Sequence, residues 1–528
     1  MTTLPQPHRV SFVVALLILA GSIFWHVQHN DFPAFYHPDE YQKGVQVVTG
    51  TLNFHHPLLL LDGAGILLWM SGLPATADNA VVCGRWASAV YASLSLCVLG
   101  LFAWRRAGPI AALATVFLVA LHPLFYELAH YCKEDPALLL GLCLGMLALD
   151  LFLEAPHSRR AAFLGLACGV AVSGKYIGIV MFLAALPWVF MRGKSAGTLG
   201  KLSMFFIFGF LLTVLAINFP FLKSPDQLAT NIAYELQAAQ AGGAKGLTKD
   251  VPHLKYVNAF QENVGWPLWL GLVIYAIGGF LRKAERRASD WMVLALPLGY
   301  AVLLSFSPKT SNRYFLAVSP FLILCAIIGM VWLAEWAGKF SKQARILVLL
   351  TTLGSALVVQ WQLSAPTVRS FQHDSRKELA AWIANQLPAG CVVLAETRVS
   401  LGKPEVWPNT TPRQDIHLRE VDFLPDAGTF DALSAQGVTH VAAIRTNYGG
   451  YLSKKRKPSP NQAELHRKRA EFYQKMLDSG DALAQFGGTG VHHLNPEVVL
   501  YAIPANPHSP ASKPPPNSHT HNGQAPQP

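Results

Sequence analysis

Phe35-Tyr36-His37-Pro38-Asp39-Glu40-Tyr41 follows closely on an apolar run at about 10–27. Two adjacent carboxylates, unmatched by basic residues in that stretch, stand at the mouth of a predicted membrane span. Acids placed there cost free energy unless they are solvated or used, so they mark a functional site by default. A second acidic pair, Glu134-Asp135, follows the third apolar segment. If both pairs face one side of a membrane, they can converge on one pocket.

The remainder of the chain supports the membrane. Of 528 residues, 52% are hydrophobic and 14% charged, where a soluble chain carries about a quarter charged. Mean hydropathy is +0.31. The predicted spans run 10–27, 81–104, 109–126, 136–153, 161–174, 177–191, 202–218, 265–281, 291–306, 314–335 and 345–363. Between the first two lies a long stretch where 58–61 and 66–70 are apolar but broken by Asp62, Gly63 and Gly65. It reads as a helix lying in the interface. The fold class expected is an all-α polytopic bundle of about eleven spans.

The net charge of +11 needs a location. Basic residues follow spans two, four, six, eight and ten, which alternation puts on one face; the positive-inside rule makes that face cytoplasmic. The N-terminus is then inside, and the acidic pairs, Lys175 and 309–313 lie outside, as does everything after about 364. No basic face interleaved with aromatics suggests nucleic acid. The seven cysteines include no CxxC pair and fall mostly within apolar segments, so they read as small apolar residues.

After 365 the pattern changes. Ser375 and Glu378 form a capping box, 391–395 and 438–444 read as strands, 461–477 as a charged helix and 498–503 as a last strand. The organisation expected is a membrane domain at 1–365, an extracytoplasmic α/β domain at 366–504, and a disordered Pro- and His-rich tail at 505–528.

Asp39 after Pro38 can be an ordinary helix-start charge. It can also be a general base that takes a proton from an attacking hydroxyl or amine. Glu40 stands beside it. Glu134-Asp135 precede Pro136, which disfavours helix at Asp135. They can be solvated loop acids or orient an acceptor. His37, His55, His56 and His130 share these loops, so a divalent metal has candidate ligands but no fixed spacing. Lys175-Tyr176 and the Lys309–Arg313 stretch interrupt apolar segments. Such cations either snorkel to lipid phosphate or hold a donor phosphate, Arg in a bidentate fork and Lys as a point charge.

This arrangement resembles the membrane-embedded GT-C glycosyltransferases. Ser173-Gly174-Lys175-Tyr176-Ile177-Gly178 and the Arg313-Tyr314-Phe315-Leu316 run ending at Pro320 resemble the branch of protein O-mannosyltransferases and lipid A aminoarabinose transferases. His37-Pro38-Asp39-Glu40 is similar to a motif of GPI-anchor and dolichol-pathway mannosyltransferases. The resemblance implies transfer of a sugar from a polyprenyl-phosphate carrier to a lipid, glycan or protein acceptor outside the cytoplasmic membrane. It implies Asp39 as base, Glu134 and Asp135 as the second acidic motif, and Lys175 and Arg313 at the donor phosphate; Tyr176 and Lys309 accompany them. Lys133-Glu134-Asp135-Pro136 departs from the family's usual run, which leaves open which acid matters. Metal dependence varies in the family, so no cofactor is implied with certainty. Two other classes compete: a transporter or flippase, which would carry midplane charges and broken repeats, and a scaffold acting through its outer domain.

Overall fold

The structure is a computed structural model. It describes residues 9–504 except 194, 241–246, 250–254, 282–287, 306–310, 454–455, 459–461, 489–490 and 492. Lys309 and the 505–528 tail, both singled out above, lie outside the described residues. The chain divides into two compact units.

The first unit contains Met1–Asp374 together with Lys454–Pro460 and Thr489–Asn495. Its helices are α1 (Arg9–Val27), α2 (Glu40–Thr49), α3 (Leu59–Ser71), α4 (Ala77–Ala120), α5 (Pro123–Ala129), α6 (Asp135–Glu154), α7 (Ser158–Gly174), α8 (Ile179–Arg192) and α9 (Ala196–Ile217). They continue as α10 (Pro225–Gln240), α11 (Lys255–Asn263), α12 (Trp266–Leu281), α13 (Ala288–Ser305), α14 (Ser319–Ala337) and α15 (Lys342–Ser370). Among the described residues, five helices are long and apolar enough to cross a membrane: α4, α6, α9, α14 and α15. Shorter apolar helices match the predicted spans 10–27, 177–191, 265–281 and 291–306 in position, and the predicted span 161–174 falls on α7. The windows of α6 and α14 are 89% and 78% buried, against 17% for α9 and 11% for α15. The first two therefore form the centre, and the last two turn apolar side chains outward.

Two predicted spans, 81–104 and 109–126, meet within α4. Gly108 adopts φ +82° there, which breaks the helix just before Pro109. The second part ends at Ala120, earlier than the periodicity predicts. The His122 imidazole accepts the Phe125 N–H, and Pro123 opens the new helix α5. The 3-10 turn at Asn312–Ala317 likewise precedes α14, where a continuous span from 314 was predicted.

Close helix contact is built on small residues. At Gly141 in α6, a β-carbon would lie 2.2 Å from Ala171 Cα and 2.3 Å from its nitrogen in α7. These are backbone atoms, so no rotamer change relieves the clash. Gly141→Val is expected to cost roughly 1–3 kcal/mol or more. A lowered apparent unfolding temperature in detergent is the check; an unchanged one would show that α6 and α7 are not packed this tightly.

The second unit contains Ser375–Ser453, Asn461–Gly488 and Pro496–Pro528. The short ribbon of β1 (Leu247–Lys249) and β5 (Arg456–Pro458) is antiparallel, and β5 belongs to the first unit as β1 does. The second unit has a five-stranded sheet in the order β3-β2-β4-β7-β6. Its strands are β2 (Val392–Glu396), β3 (His417–Val421), β4 (His440–Ile444), β6 (Asp481–Phe486) and β7 (Val498–Ala502). The first three are parallel, and β7 and β6 add antiparallel. Its helices are α16 (Ser375–Gln386), α17 (Phe430–Ala435), α18 (Arg445–Tyr451) and α19 (Ala463–Ser479). Phe430, Leu433, Tyr473 and Met476 pack on Leu394, Val441 and Val499. β3 and β6 were not read from the sequence. Their residues are largely exposed, so they show no apolar alternation.

Candidate active site

Four pieces of the first unit meet at one end of its helices: the start of α2, residues 130–135, Lys175, and the Asn312–Ala317 turn. Asp39 caps α2 and is exposed, its carboxylate about half accessible. Its Oδ2 accepts a hydrogen bond from Lys133 Nζ, and Arg313 Nη1 stands 3.9 Å away. Burial alone would raise the Asp39 carboxyl, but Lys133, Lys43 and Arg313 pull it below its ordinary value. It is held ionised.

Glu134 is buried and pairs with Lys43 at 2.6 Å; His56 Nε2 lies 4.0 Å away. Burial would raise it, and His56, Lys43 and Lys133 instead hold it well below the carboxylate range. Lys43 also donates to the Cys132 carbonyl at 2.9 Å. Asp135 Oδ1 accepts from Lys175 Nζ at 2.8 Å. Lys175 and Arg313 flank the Tyr314 ring, 5.0 Å and 5.4 Å from its centre. Tyr176 turns away and donates to the Phe54 carbonyl at 2.8 Å.

Glu40 has a different setting. It is fully buried and faces Arg85, also fully buried, through a fork of 3.2 Å and 2.7 Å. Arg85 Nη1 donates to the carbonyls of Asn30 and Phe32, and the Cys132 N–H donates to Glu40 Oε1 at 2.6 Å. The adjacent acids thus point to separate partners. Asp39 opens to the pocket, while Glu40 ties the first loop to the 130–135 segment.

Arg313 Nε and Asp135 Oδ2 are buried polar atoms of the site with no hydrogen-bond partner among the described residues. A buried donor left unpaired is costly, so Arg313 Nε calls for an acceptor, a place an anion can fill. The histidines separate. His37 Nδ1 accepts the Asp39 N–H at 3.2 Å, His55 faces Glu235, and His130 packs against His26 and Phe371. Among the described residues, no three His, Cys, Asp or Glu side chains gather as metal ligands.

Sequence reading did not single out Lys43, Lys133, Arg85 or Glu127. Burial, with Lys43 and Arg313 nearby, pushes Lys133 down to about 8. Burial also lifts Glu127, on α5 toward Arg313, to about 7. The signal was present for Lys133, next to Glu134, and for Arg85, a charge inside the apolar run predicted at 81–104.

The fold is similar to that of ArnT from Cupriavidus metallidurans, solved bound to undecaprenyl phosphate. The TM-score is 0.50 at 14% identity, over 93% of this chain and 98% of that one. Residues 69–222 match the family model of the dolichyl-phosphate-mannose-protein mannosyltransferases. Weaker likenesses extend to the mycobacterial arabinofuranosyltransferase AftD (TM-score 0.44, 14% identity, 96% of this chain and 40% of that one). They also extend to the S. cerevisiae Pmt1-Pmt2 complex bound to its sugar donor (TM-score 0.33, 15% identity, 48% and 37%). No curated protein matches the sequence.

Proposed function

We propose that the protein is a membrane glycosyltransferase that moves a sugar from a polyprenyl-phosphate carrier to an extracytoplasmic acceptor, with Asp39 as general base. The observation that carries this reading is the pairing around Asp39. An ionised, accessible carboxylate shares its pocket with Lys133 and Arg313, and Arg313 Nε has no partner among the described residues.

The charges support it. In the ion pairs lining the pocket, Lys43, Lys133, Lys175 and Arg313 meet Asp39, Glu134 and Asp135. Four cations against three carboxylates leave one positive charge over, which suits the single negative charge of a phosphodiester donor. In the reaction the acceptor oxygen bonds to the anomeric carbon as its proton passes to Asp39 and the carbon–phosphate oxygen bond breaks. Asp39 loses one negative charge as the leaving phosphate gains one. Lys133 and Arg313, no longer held by a carboxylate, turn to the phosphate when its charge grows, which stabilises the transition state. A single displacement inverts the anomeric carbon. Asp135 Oδ2 is a buried carboxylate oxygen without a hydrogen-bond partner among the described residues, and the step is written without a divalent ion. Glu40 has a structural role in this scheme, with both oxygens engaged.

Comparing the lipids and glycans of a deletion strain, then assaying transfer in vitro from the lipid-linked sugar that accumulates, tests the function. An unchanged envelope and no transfer would overturn it.

A pH dependence follows. As pH rises through about 7, Glu127 ionises; through about 8, Lys133 loses its proton. Each change lowers the net charge around Arg313 and Asp39 by one. Binding of undecaprenyl phosphate is therefore expected to weaken about tenfold or more between pH 6.5 and 9, measured by thermal shift or direct titration. Lys133→Arg, which stays charged, should flatten the upper part of that profile.

A further inference from the structure

One neighbour of His37 comes from the far end of the chain. Val491 and residues 493–495, which follow β6, belong to the first unit. Val491 and Leu494 are each 3% exposed and sit in a cluster with Tyr36, Tyr126, Tyr131 and Phe371. The Val491 N–H donates to Ser370 Oγ at 3.1 Å, and the amides of Leu494 and Asn495 return to the Val491 carbonyl. His493 lies between these anchors. Its ring centre is 4.7 Å from that of His37 and 6.5 Å from that of Tyr131. His37 in turn accepts the Asp39 N–H.

The loop is thus fixed on both sides of His493, and ordering a loop costs entropy that two buried anchors and a turn offset. His493 is half-buried and Asp39 exposed, so both remain reachable from solvent. The cations of the pocket stand at the carboxylate of Asp39, whereas His493 stands against His37. A neutral imidazole supplies one donor and one acceptor, and either can engage a hydroxyl. Burial, with Lys133, His493, Lys43 and Arg313 nearby, holds the adjoining His37 neutral.

We propose that His493 is an acceptor-positioning residue: Val491 and residues 493–495 lie on the acceptor side of the pocket, and His493 hydrogen-bonds a hydroxyl-bearing acceptor so that its attacking oxygen meets Asp39. The proposal rests on the glycosyltransferase reading above and adds the residue that selects the acceptor.

The test uses the full-length protein in nanodiscs, with the radiolabelled lipid-linked sugars of its host as donor and a donor-free envelope extract as acceptor. His493→Ala should raise the extract concentration for half-maximal transfer at least tenfold, with the maximal rate within about threefold. His493→Gln, which keeps a donor and an acceptor, should restore most of the loss. Undecaprenyl phosphate should bind both variants within twofold of the parent. Unchanged half-saturation in both variants would overturn the proposal and leave the glycosyltransferase reading in place. So would a fall in rate accompanied by weakened undecaprenyl phosphate binding, which marks a structural role. If the parent neither transfers nor binds undecaprenyl phosphate, the underlying reading fails and the proposal with it.

Discussion

Asp39→Asn is expected to lower sugar transfer about 10²–10⁴-fold, the usual contribution of a general base, while undecaprenyl phosphate binds at least as tightly as to the parent. Asparagine keeps the size of the side chain and cannot take the proton. It also removes the charge that holds Lys133 and Arg313. With one carboxylate fewer, the pocket carries a larger positive excess, which favours a phosphate dianion. A merely structural Asp39 would behave differently, because losing its ion pairs would weaken phosphate binding and expression together. Single-turnover transfer alongside equilibrium binding separates the cases. Transfer within a few-fold of the parent would remove Asp39 from the chemistry.

Arg85→Met should be the most damaging substitution to the architecture. Arg85 and Glu40 are both fully buried, and the guanidinium also engages two carbonyls and stacks 3.5 Å from the Phe32 ring. Removing one partner leaves a buried carboxylate with one hydrogen bond, from the Cys132 N–H. Breaking such a pair costs about 3–5 kcal/mol. Because Arg85 joins the first loop to α4, and Glu40 joins it to the 130–135 segment, Asp39 and Lys133 should also lose their register. The expected result is a lower apparent unfolding temperature in detergent and loss of transfer. Arg85→Met combined with Glu40→Leu should recover stability, since no charge is then stranded, but not full activity. A double variant as unstable as the single one would argue against the pair as the source of the effect.

The helices and the acids are legible in the amino-acid order for the same reason. Apolar runs of about 20 residues have few other uses, and a charge beside one is conspicuous. Asp39, Asp135, Lys175 and Arg313 stand out in this way. Lys43 is harder to read. It lies within a short amphipathic helix where a lysine normally faces solvent, and only its burial against Glu134 gives it a part in the pocket. Glu40 shows the converse, because its neighbour Asp39 gives no hint that the two acids serve different partners.

Composition, periodicity and the placement of charge set the class of this chain: a helical membrane bundle, an acidic motif in its first loop, and a small α/β region after it. Those are properties of short stretches, written in the local order of residues. Which acid meets which cation depends on contacts across tens to hundreds of residues: Asp39 with Lys133 and Arg313, Glu40 with Arg85, His37 with His493. No local pattern encodes such pairings. They arise when burial forces each charge to take whatever opposite group the packed helices bring within reach.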